Sequence, residues 1–152
     1  MIEGVKIKKL KIIPDDRGRL MEILRNDDDI FEDFGQVYVT TAKPGIVKAW
    51  HYHKLQDDHF VCLVGKVKVA LFDARNNSKT YGEINDFEMS MDDPFVLKIP
   101  KGVYHGFKGI AAIESMVLNV PTKSYNHKDP DELRVDAFDK DIGYDWGNNE
   151  RD

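Results

Sequence analysis

Turn signals interrupt this 152-residue chain so often that no helix of ordinary length fits after Phe34, and that restriction decides the fold class. Val5, Ile7 and residues 10–13 alternate with lysines until Pro14-Asp15-Asp16, and Asp15-Asp16-Arg17-Gly18 reads as a turn. Residues 20–24, 36–41, 84–91, 95–99 and 113–120 read as further short strands, as does the alternation of Val67, Val69 and Leu71 with Lys66 and Lys68. About nine short strands in one domain predict an all-β, double-sheet jelly roll or a related barrel. Residues 26–34, NDDDIFEDF, are the exception: aspartates ahead of Ile30, Phe31 and Phe34 predict a short acid-capped helix.

The length fits one domain, residues 1–152, with a polar arm from about 122 that carries Tyr125, Leu133, Phe138, Ile142, Tyr144 and Trp146 as anchors. Such an arm packs along the barrel or onto a second subunit. Residues 60–64 are apolar on both faces and need cover on both sides, which together with the arm predicts a homodimer. A net charge of -5 argues against a nucleic-acid partner, and an anionic ligand would need local positive charge. The single cysteine, Cys62, lies in an apolar run and reads as a core residue in a reducing compartment. No apolar run reaches signal-peptide or membrane-span length, which predicts a cytoplasmic protein without a membrane partner.

The chemistry concentrates in residues 45–65, GIVKAWHYHKLQDDHFVCLVG. His51 and His53 stand two apart on a β-type run, so both point to one face. Asp58 follows a polar turn, and Pro100-Lys101-Gly102-Val103-Tyr104-His105 brings a further histidine after a corner. Three imidazoles and a carboxylate, His51, His53, Asp58 and His105, form a sound ligand set for a divalent transition metal. The same histidines equally suit a general base and its neighbours without a cofactor. His59, one residue beyond Asp58, faces away and reads as structural or interfacial, and His127 in the arm reads as solvated.

G-x5-H-x-H-x4-D-x6-G with P-x-G-x2-H resembles the paired motifs of the cupin superfamily, with Asp58 where glutamate is usual. Arg17-Gly18 with Glu22, Phe34 with Gln36, residues 45–52, Asp73-x-Arg75, Ser78-x-Thr80-Tyr81-Gly82, residues 99–107, Tyr125 and Ile142-Gly143-x2-Trp146 resemble, in order, the dTDP-4-dehydrorhamnose 3,5-epimerase family. The resemblance implies an epimerase or isomerase of a nucleotide-linked 4-keto-6-deoxy sugar, with His51 taking the C3 proton and His53 and His105 as further catalytic histidines. It implies substrate contacts from Arg17 and Gln36 at the nucleotide end, and from Glu22, Lys48, Tyr104 and Asn119. Removing a proton alpha to a ketone needs a base near neutral pKa, plus positive charge or donors on the oxygen, roles that suit His51 and the pair Lys48 and His105.

The departures are specific. Lys48-Ala49-Trp50-His51 stands where the family has Arg-Gly-Leu-His, Asp58 where it has a lysine, and Asn119 where it has a tyrosine acid. The family's late aspartate, which orients the catalytic histidine, lies beyond Trp146 in a segment that the resemblance implies is missing here. His51-Tyr52-His53-Lys54 also resembles the His-x-His-Lys of the sugar 3,4-ketoisomerases. A metal-dependent cupin acting on or binding a small molecule and a non-catalytic carbohydrate-binding cupin are the competing expectations.

Overall fold

The computed structural model describes residues 1–147. Among these residues twelve strands follow in order: β1 Lys6–Lys9, β2 Ile13–Asp15, β3 Gly18–Leu20, β4 Tyr38–Ala42, β5 Val47–Tyr52, β6 Asp58–Val64, β7 Lys66–Asp73, β8 Ile84–Ser90, β9 Phe95–Ile99, β10 Val103–Gly109, β11 Ser115–Asn119 and β12 Leu133–Arg134. A first sheet has the order β1-β9-β6-β11-β4 and a second the order β12-β5-β10-β7-β8, with β2-β3 a separate hairpin. All recorded pairings are antiparallel, and the architecture is the cupin-type jelly roll.

The core follows from the strand alternation. Val67, Val69 and Leu71 of β7 are fully buried and pack with Phe60, Cys62, Leu97, Ile99, Phe107 and Val117. Val61 and Val96, on the other face of the first sheet, pack against Leu10, Ile30, Ile23 and Leu24. The second cover that residues 60–64 require therefore comes from this chain's own early segment. The arm behaves similarly: Ile142, Tyr144 and Trp146 pack on Trp50, Ala70 and Phe72 of the second sheet, with Trp50 and Trp146 ring centroids 5.3 Å apart. Both features taken to predict a dimer are met within one chain.

The helix expected over residues 26–34 is a series of turns. Asp28 accepts hydrogen bonds from Arg25 N and Lys8 Nζ, and Asp33 from Phe34 N. These aspartates bond to nearby backbone in turn geometry, which competes with the helical ladder. The strand expected at 20–24 stops at Leu20, because the chain then leaves the hairpin to cover the first sheet.

Two glycines stand where no side chain would fit. Gly65 turns β6 into β7 at φ 71°, and Gly106 lies so close to β5 that a Cβ there would sit 2.2 Å from the Ala49 Cβ. Two residues beyond Leu71, the register partner of His105, Asp73, fully buried, accepts from Arg75 Nε at 2.8 Å, Ser78 Oγ at 2.6 Å and Thr80 Oγ1 at 2.7 Å. Burial alone would raise its pKa, but these donors hold it well below the usual carboxylate range, so its stabilisation is present above that range and lost as pH falls through the folded value. The motif Asp73-x-Arg75 with Ser78-x-Thr80 is thus a structural turn. Asp73→Ala is expected to cost roughly 3 kcal/mol by leaving several donors unpaired, read as a lower urea midpoint; an unchanged midpoint would contradict this account.

Candidate active site

The cavity between the two sheets, about 710 Å³, opens beside the arm. Gln36, Lys48, His51, His53 and His105 are among the residues that line it. In the register His105 faces His51 and Phe107 faces Lys48, so three steps along β5 meet two along β10. That bulge, allowed by Gly106, turns both Lys48 and His51 to the cavity, which strict alternation would forbid.

Behind His53 and His105 lies Asp58, at 2 % exposure. Its Oδ1 accepts from Gln56 Nε2 at 2.9 Å and Asn119 Nδ2 at 3.1 Å. Its Oδ2 lies 3.3 Å from His53 Nε2 and 3.1 Å from His105 Nε2. Burial works to raise the Asp58 pKa, and the bonds from His105 and His53 overcome it and hold the group ionised. For His53, burial works to lower the pKa and the Asp58 carboxylate overrides it, so the net shift is upward. Its Nδ1 meets the Asp131 carbonyl, so both ring nitrogens face acceptors.

His51 is held differently. Its Nδ1 lies 3.0 Å from Glu132 Oε1. A carboxylate accepts only, so the proton sits on Nδ1 and Nε2 keeps its lone pair. Burial and the neighbouring His105 hold its pKa below the ordinary 6.5, with Glu132 pushing the other way. Glu132 arrives through β12, whose Arg134 is the register partner of His51, and it was not visible in the sequence: eighty-one positions separate it from His51, in an arm without periodicity. The resemblance left His51 without a carboxylate beside it, and Glu132 supplies one at Nδ1.

Other expected contacts fall elsewhere. Arg17 sits exposed on the β2–β3 hairpin, paired with Asp15 at 2.6 Å, and Glu22 is exposed beside Arg25 at 3.2 Å; neither lines this chain's cavity. Tyr104 faces the outer side of the second sheet, its ring 4.7 Å from Tyr52, because it alternates with the inward His105. Asn119 is buried behind the cavity wall, bonded to Asp58 and to the Tyr38 hydroxyl at 2.8 Å. His59 is structural as expected, bonded to the Val120 and Ile30 carbonyls. His127 is exposed yet stands at the cavity mouth against Tyr125, ring centroids 4.7 Å apart.

For a metal, His53, Asp58 and His105 offer ligand atoms within 4.8 Å of one another, and His51 is not in that group. The four-ligand set expected from the sequence therefore reduces to three, whose donor and acceptor atoms already bond one another.

The sequence profile of the dTDP-4-dehydrorhamnose 3,5-epimerase family matches residues 1–152. A spore coat polysaccharide biosynthesis protein of Bacillus subtilis is 42% identical over 96% of this chain and 97% of its own. A probable low-salt glycan biosynthesis epimerase of Haloferax volcanii is 40% identical over 95% and 94%. Among solved structures, a dTDP sugar isomerase of Desulfovibrio desulfuricans superposes with TM-score 0.90 at 29% identity, covering 95% of this chain and 92% of that one.

The Glu132 contact makes a direct prediction. In an NMR titration the His51 ring is expected to titrate below pH 6.5, and lower still in Glu132→Gln, which removes the charge that favours the imidazolium. A His51 value that rises in the variant would refute this arrangement.

Proposed function

Because this chain belongs to the dTDP-4-dehydrorhamnose 3,5-epimerase family, a family of sugar-nucleotide epimerases, we propose that it epimerises or isomerises a nucleotide-linked 4-keto-6-deoxy sugar, with His51 as the base. The observation that carries this reading is the Glu132–His51 hydrogen bond, which leaves Nε2 unprotonated at the cavity. An imidazole with a lowered pKa is in its basic form throughout the neutral range.

The surroundings suit an enolate. Lys48 supplies positive charge at the cavity wall, where it is held by Thr40 Oγ1 at 2.7 Å and the Thr41 carbonyl, both neutral. His53 adds an imidazole whose pKa is raised. Positive charge beside the developing oxyanion stabilises it where water is excluded. At the mouth, Lys123 and Arg134 offer charge to a diphosphate, and Tyr125 and His127 offer ring faces to a nucleobase. The chemistry draws on side chains alone. With a soluble nucleotide sugar as substrate, the same proposal has the protein work in the cytoplasm.

Incubation with dTDP-4-keto-6-deoxyglucose in deuterium oxide is expected to exchange the hydrogen at C3, and His51→Ala to slow that exchange by about a hundredfold or more. No exchange above the buffer rate with any 4-keto sugar nucleotide, or full exchange in His51→Ala, would overturn the reading.

The homodimer belongs to the same proposal. Arg17 and Glu22 lie outside this chain's own cavity, on or just after a hairpin that exposes Ile13 and Leu20 at 50% and 57%. A second copy covering that hairpin would bury both side chains and bring Arg17 toward a neighbouring cavity. Sedimentation is expected at twice the 17.5 kDa chain mass, and Ile13→Glu with Leu20→Glu is expected to give the monomer; a monomeric parent protein would contradict the arrangement.

A further inference from the structure

The cavity has two walls, and His51 stands on one of them. It projects from β5 in the second sheet, so a sugar ring between the sheets turns its opposite face to the first sheet. Removing a proton alpha to a ketone leaves a planar enolate. Returning the proton from the same side restores the starting sugar; inversion needs a donor on the other side.

On the first sheet Tyr38, Asn119 and Phe60 form one cross-strand row, since Asn119 is the register partner of both others. Phe60 meets His105 of the second sheet edge-on, ring centroids 5.6 Å apart, so the row faces the cavity. The Asn119 amide has one possible orientation: Oδ1 accepts from His59 N at 3.0 Å, which commits Nδ2 to Asp58 at 3.1 Å and to the Tyr38 oxygen at 2.8 Å. The Tyr38 hydroxyl therefore receives a hydrogen bond. Its own proton has no recorded acceptor among the described residues, and its ring opens to the cavity at 39% exposure. Of the other first-sheet strand residues that line the cavity, Phe60 carries no proton to give, and Thr40, whose hydroxyl accepts from Lys48, is an alcohol far less acidic than a phenol.

We propose that Tyr38 is the acid that protonates the enolate on the face opposite His51, turning proton exchange into inversion of the sugar carbon. Loss of water around the hydroxyl and the nearby Asp58 charge push the Tyr38 pKa up to about 12, so the phenol keeps its proton at neutral pH. In the step, the Tyr38 O–H bond breaks and a C–H bond forms from the enolate electron pair as the carbonyl re-forms. The bond from Asn119 steadies the phenolate, which takes a proton back from water. His51, left as imidazolium by the first step, returns its proton to water, so no oxidant or reductant enters.

This inference rests on His51 being the base, and the test separates the two ideas. With dTDP-4-keto-6-deoxyglucose in deuterium oxide, deuterium at the alpha carbons is followed beside the appearance of the inverted sugar. The parent protein is expected to give both. Tyr38→Phe is expected to keep exchange within about threefold and to lose inversion by about a hundredfold. In place of Tyr38, 3,5-difluorotyrosine, with a more acidic phenol, is expected to keep inversion and move its alkaline limb to lower pH. Inversion at the parent rate in Tyr38→Phe, an alkaline limb unmoved by fluorination, or a parent protein that exchanges without inverting would each overturn the role of Tyr38 while leaving His51 as base. Absence of exchange in the parent protein would overturn both.

Discussion

The four-way hydrogen bonding of Asp58 is the interaction on which the site depends. One buried carboxylate on the first sheet holds His53 and His105 from the second, while Gln56 and Asn119 saturate its other oxygen. Taking away one member would leave a charge uncompensated in a dry interior, the situation that destabilises by several kcal/mol, about 3–5 for buried pairs. The pH dependence has two edges. Asp58, depressed from 3.8, contributes above that value and loses its contribution as pH falls through its folded pKa. His53, raised from 6.5, contributes fully below that value and loses its contribution as pH rises through its folded pKa. The cluster is therefore strongest between ordinary carboxylate and ordinary histidine titration.

Around that hub the arm performs two tasks with one piece of chain. Ile142, Tyr144 and Trp146 seal the outer face of the second sheet over Trp50, and β12 pairs with β5 so that Glu132 reaches the next residue, His51. Trp50 and His51 are adjacent and face opposite sides, so packing on one side fixes the imidazole on the other. This coupling makes the orientation of the base a property of tertiary packing, with the hydrogen bond as its last link.

What was legible in the sequence was local. His51 and His53 share a face because strand alternation requires it, and Asp58 and His105 join them because short strands and corners leave few other arrangements. The strand class followed from the same periodicity, and the paired motifs from resemblance. What was not legible came from interactions without a period: Glu132 reached across a polar arm, Tyr38 looked like an ordinary strand residue, and Asp28 turned the chain where a helix was expected. Lys48 was identified from resemblance, but its place in the cavity depends on the bulge opposite Gly106, which no reading of alternation contains.

A chain with a net charge of -5 can still favour an anionic ligand if its acids are engaged before the ligand arrives. The cavity is lined by Lys48, Lys123 and Arg134 and by Asp129, Asp131 and Glu132, which by count alone would cancel. Asp131 accepts from the backbone N–H groups of Lys54 and Leu55, and Glu132 accepts from His51 and Arg134. Lys48, by contrast, is held by neutral oxygens and keeps its charge available. The same reasoning accounts for an acid at Asp58, where the resemblance implies a lysine: the charge is tolerable because four donors surround it, two of them imidazoles facing the cavity. Local donor geometry, more than net charge, thus sets the field a substrate would meet.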